Sequence, residues 1–112
     1  MAKSIELSEI IQEMKTVKTR MDNVIKEVYK QAKLKDKSER EYRIALAQEI
    51  LKLKADGVQA TLIPDIARGN TADLKFARDS AKSLYDSARD SMETLRTEAS
   101  LLQTISRYQD EL

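Results

Sequence analysis

Two glycines and one proline are the only strong helix breakers in 112 residues, and Gly57, Pro64 and Gly69 all fall inside one 13-residue window. Long stretches free of breakers on either side of that window predict two helical arms, with the window as their connection. The composition agrees, because Ala, Glu, Lys, Leu and Arg make up 54 of the 112 residues, close to the half that marks coiled coils and long helices.

The first arm carries its own periodic signal. Leu7, Ile10, Met14, Val17, Met21, Val24 and Val28 recur at alternating spacings of three and four, which places them on one seam of a helix. Ile11 and Ile25 sit one place beyond seam positions and widen the apolar stripe past what a two-helix contact covers. Over residues 33–38 the apolar pattern loosens, and Ser38 with Glu41 forms the spacing of a capping box. Two readings stand there: one helix over residues 5–55, or an arm split near residue 36.

Gly57 suits the position just past a helix end, where a left-handed backbone is needed. The window that follows is apolar, with Val58, Leu62, Ile63 and Ile66, and Pro64 fits the first turn of a short helix that Gly69 ends. A structured tip over residues 57–70 is therefore expected. Two readings stand for these aliphatics: a plug that closes the end of the bundle, or a protein contact made by Leu62, Ile63 and Ile66; within them Ile66 is the favoured plug and Ile63 the favoured outward residue. The last arm, residues 72–111, takes its cap from Asn70 or Thr71. Its seam reads Leu74, Ala77, Ala81, Leu84, Ala88, Met92, Leu95, Ala99 and Leu102, with a stutter after Ala88. Pairing residue 55 with residue 73 puts Ala81 beside Ala47 and Ala77 beside Leu51.

The net charge is +1, from 20 basic and 19 acidic residues. Residues 1–55 carry +4 and residues 56–112 carry −3, so antiparallel arms would lay opposite charges together. The strongest basic stretch is residues 15–37, where Lys18, Lys26, Lys30, Lys33 and Lys37 are the candidate nucleic-acid contacts. In a hairpin the same stretch faces the acidic Glu93, Glu98, Asp110 and Glu111. Nucleic acid is the disfavoured partner for that reason.

Chemistry is scarce. The chain has no His and no Cys, which removes Cys/His zinc sites, thiol nucleophiles, His-based acid/base pairs and disulfides. Glu6, Glu9 and Glu13 share a helical face, yet di-metal bundle sites pair such glutamates with His. No glycine-rich phosphate loop or nucleophile elbow occurs. The expectation is a protein without catalytic activity, cofactor or metal.

The run EYRIALAQEILKLKADG at residues 41–57, with LIPDIARG at 62–69 and LKFARD at 74–79, is similar to small helical proteins encoded by phages and prophages of Gram-positive bacteria near recombination and replication genes. The resemblance spans residues 39–88, a little under half of the chain. It implies a source and a genomic setting, and it transfers neither an activity nor functional residues.

The sequence therefore predicts an all-α protein: one helical domain, built as a long antiparallel helical hairpin. Apolar positions left beside the seam predict a homodimer closing into a four-helix bundle. The expected role is protein–protein binding, to itself and to a further protein partner, which the phage resemblance implies to be accessory to phage DNA metabolism or host takeover; the rival is nucleic-acid binding by the basic face. No membrane span and no apolar signal core are visible, which points to a soluble, intracellular protein, and the resemblance implies the cytoplasm of a bacterial host.

Overall fold

The structure is a computed structural model that describes residues 6–111, with side chains described through residue 109. Ile5, where the first arm was expected to begin, and the carboxylates of Asp110 and Glu111 lie outside what is described. The protein is all-α, with three helices and no strand among the described residues: α1 (Leu7–Ala55), α2 (Ile63–Asn70) and α3 (Ala72–Glu111). Tertiary contacts divide the chain into two units: Lys30–Asp86, and a second formed by Met1–Tyr29 with Ser87–Leu112.

Helix α1 runs unbroken through residues 33–38, so the first arm is a single helix. The Ser38 hydroxyl donates to the Lys35 carbonyl at 3.0 Å and makes no cap, while Glu41 pairs with Lys37 at 3.9 Å one turn back. What fills the seam there is polar: Gln31 and Tyr42 are buried, and Lys35 and Ser38 half-buried, continuing the alternation of three and four.

The unit Lys30–Asp86 is a helical hairpin. Glu49 meets Asn70, Tyr42 meets Arg78 and Lys35 meets Tyr85, so partner numbers fall as α1 numbers rise and the helices are antiparallel. The turn is residues 56–62. Gly57 ends α1 with φ +77, as its position predicted, and the Val58 amide donates to the Leu53 carbonyl. Pro64 lies in the first turn of α2, where its missing N–H costs no helical bond.

Gly69 does not end α2. The Thr71 amide donates to the Ala67 carbonyl and the Lys75 amide to the Thr71 carbonyl, each at 3.1 Å, so helical bonding passes through the break between α2 and α3. Both residues expected to cap α3 donate elsewhere: the Thr71 hydroxyl backward to Ala67 O at 2.8 Å, and the Asn70 amide to the Glu49 carboxylate at 2.6 Å. Helix α2 is in effect the opening of the second arm. The turn is thus shorter than the window of breakers, and the register shifts with it. Ala77 and Ala81 share a groove with Gln31, Leu34, Ser38 and Glu41, not with Ala47 and Leu51.

Leu53, Ile63 and Ala67 form the apolar cluster that closes this hairpin, with Leu46, Ile50 and Val58 packed against it. Burying a side chain the size of Ile63 contributes about 1.5–3 kcal/mol.

In the second unit, Ile10, Val17, Ala88 and Leu95 are buried, and Met14, Met21, Val24, Val28, Met92, Ala99 and Leu102 half-buried. Leu7, expected in the seam, is exposed at the start of α1. Arg20 and Glu98 make a cross-helix ion pair at 3.8 Å. Along α3 the buried and half-buried positions include Leu74, Arg78, Ala81, Tyr85, Ala88, Met92, Leu95, Ala99 and Leu102, with Ser80 and Glu98 beside them and Ile105, Ser106 and Gln109 beyond. The nine from Leu74 to Leu102 alternate four and three, so the expected stutter after Ala88 is absent: Arg78 and Tyr85, not Ala77 and Leu84, face inward. Long amphipathic side chains can bury their stems at such positions while their polar ends find partners.

Candidate interaction surfaces

The expected tip contact divides. Ile63 is buried at 5% exposure, Ile66 is 37% exposed and Leu62 50% exposed. The assignment of Ile66 as plug and Ile63 as outward residue is therefore reversed. Val58 and Ile66 are eight residues apart, a spacing that would share one side of a continuous helix, but residues 58–62 belong to the turn, and eight residues of mixed backbone carry no helical phase. Once α2 begins at Ile63, Ala67 follows at i+4 on the same side, and both reach Leu53.

Of the basic candidates, Lys18, Lys26, Lys30, Lys33 and Lys37 are all exposed, as are the acidic Asp22, Glu27 and Asp36 among them. Lys37 is engaged with Glu41 on its own helix. Lys35, the one lysine of the 15–37 stretch that is half-buried, holds its ammonium 5.4 Å from the centre of the Tyr85 ring. Glu93, expected opposite this stretch, bonds Arg96 at 2.7 Å along α3.

The seam of the hairpin unit is fixed by a reciprocal arrangement. Arg78 of α3 lies 4.5 Å from the Tyr42 ring of α1, while Lys35 of α1 lies over Tyr85 of α3. Cation and ring change helices after one heptad. Glu39 adds a carboxylate 3.7 Å from Arg78 and accepts a 2.7 Å hydrogen bond from Arg43. That bond, aided by the Arg78 and Lys35 charges against a desolvation that acts the other way, holds the Glu39 carboxyl below the ordinary carboxylate range.

This seam has two unlike flanks. One is lined by six charged residues, Lys35, Asp36, Glu39, Arg78, Asp79 and Lys82, in equal numbers of each sign. The other is lined by Leu34, Lys37, Glu41, Ala77, Ser80 and Leu84 around Gln31, Ser38 and Ala81. On that second flank Leu34 is 43% exposed and Leu84 55%, and Ile44, one helical step on from Glu41, is 45% exposed. Sequence reasoning missed this flank because it placed Ala77 and Leu84 inside the seam; the available signal was the spacing of 34, 37, 41 and 44, a second stripe beside the first.

No family model matches the chain, and neither a curated protein nor a solved structure matches it. No helix among the described residues is long and apolar enough to cross a membrane. Among the same residues no cluster of three or more His, Cys, Asp or Glu side chains could hold a metal ion.

Proposed function

We propose that this chain is a non-enzymatic helical interaction protein that acts by binding protein, its first partner being a second copy of itself. The observation that carries the reading is the amount of aliphatic surface left beside a narrow seam: Ile11, Ile25, Leu34, Ile44, Leu84 and Leu101 are exposed on helices that have only one neighbouring arm to pack against. Surface of this kind along a regular helix is what a further helix covers. On the resemblance of residues 41–57, 62–69 and 74–79, the setting is a phage or prophage in the cytoplasm of a Gram-positive host, in a role accessory to phage DNA metabolism or host takeover. Leu62 and Ile66, the exposed pair at the tip, serve a further protein partner.

If folding is coupled to association, the unfolding midpoint rises with protein concentration. Thermal melts across a hundredfold dilution series are expected to show that rise, and a midpoint independent of concentration would count against the reading. The rival, nucleic-acid binding by Lys18, Lys26, Lys30, Lys33 and Lys37, predicts a gel shift that weakens steeply with salt. The interspersed carboxylates predict no such shift with single- or double-stranded DNA.

A further inference from the structure

The apolar flank of the hairpin seam has an internal symmetry that identifies its occupant. Along α1, Leu34, Lys37, Glu41 and Ile44 follow one another at spacings of three, four and three, so all four lie on one stripe of the helix. Read in reverse, the stripe is again apolar, charged, charged, apolar at the same spacings, with the two charges exchanged. An identical helix laid antiparallel on it places Leu34 on Ile44 of the copy and Lys37 on Glu41 of the copy, and each contact occurs twice. This is the condition a two-fold interface must meet, since residue i touches j and j touches i.

We infer that this stripe is the surface on which two copies of the chain pair, α1 antiparallel to α1 about an axis passing near residue 39. The inference rests on the self-association proposed above and names its face. Charge complementarity is what commits it to a second copy: the opposite charges sit in reverse order at matching distances from the axis. The Lys37 and Glu41 side chains pair with each other along α1 at 3.9 Å, yet at 72% and 53% exposure each can also reach the opposite charge of the copy. Leu84 of α3 adds aliphatic surface on the same flank, and Ala77, Ser80 and Ala81 keep the groove thin enough for a close approach. The other flank, with three positive and three negative side chains, is a solvated edge.

Charge variants of the full chain test the assignment. Lys37→Glu alone and Glu41→Lys alone each set like charges together twice, which is expected to weaken self-association by about tenfold. Mixing the two variants restores both pairings, so the mixture forms a heterodimer that neither component matches alone. The double exchange K37E/E41K returns association to the native level. Circular dichroism of each variant is expected to keep the native helix content. Sedimentation velocity of the variants and their mixture reads all of these. If the native chain is a monomer, the self-association reading itself falls. If the native chain is a dimer, but the single variants pair as tightly as it does and the mixture shows no preference, pairing occurs elsewhere and this face is wrong.

Discussion

Ile63 and Ile66 are three residues apart with the same side chain, and they occupy different environments. Ile63 packs on Leu53 and Ala67, whereas Ile66 faces outward. Ile63→Ala is expected to cost roughly 2–5 kcal/mol, the range for deleting buried branched carbons, and Ile66→Ala about 0.5 kcal/mol or less. Urea denaturation of the two variants checks the order; a larger loss at Ile66 would move the plug. The Glu39 carboxylate gives a second test at this scale. Because its pKa is depressed on folding, its contribution is present above the unfolded value near pH 4.3 and is lost as the pH falls through the lower folded value. Glu39→Gln is expected to flatten the acid side of the stability profile. The change is small, since the group and its Arg43 partner are solvated. A variant as acid-sensitive as the native chain would show that the Arg43 bond contributes nothing to folding.

At the scale of elements, the two glycines serve different ends. Gly57 holds φ +77 at the end of α1, and Gly69 lies within α2 with nothing within 4 Å of where a Cβ would stand. Gly57→Ala is expected to destabilise by about 1 kcal/mol and Gly69→Ala to stabilise by about 0.5–1 kcal/mol, read as opposite shifts of the thermal midpoint. The breaker-free arms, the left-handed Gly57 and Pro64 in a first helical turn were legible, because each follows from backbone sterics alone. The apolar heptads over residues 10–28 were legible too. The inward faces of Arg78, Lys35 and Gln31 were not, since hydropathy marks all three as surface; for Arg78 and Lys35 the Tyr42 and Tyr85 rings across the seam make partial burial tolerable. Missing Arg78 and Tyr85 introduced the false stutter, and reading Gly69 as a terminator displaced the register. Val17, buried in the most regular heptads, tests the seam: Val17→Asp sets a charge in hydrocarbon and is expected to cost several kcal/mol. Unchanged thermal unfolding would mean the seam lies elsewhere.

For the molecule as a whole, a chain without His or Cys, with a near-neutral balance of charge and a seam one arm wide, has more aliphatic surface than its own helices cover. Recognition is the use we propose for such surface, with the antisymmetric stripe from Leu34 to Ile44 as the proposed face for a second copy. Sedimentation equilibrium of the native chain at tens of micromolar tests this most directly. The expected result is a species of twice 12.8 kDa that dissociates on dilution, and a single 12.8 kDa species throughout would contradict it.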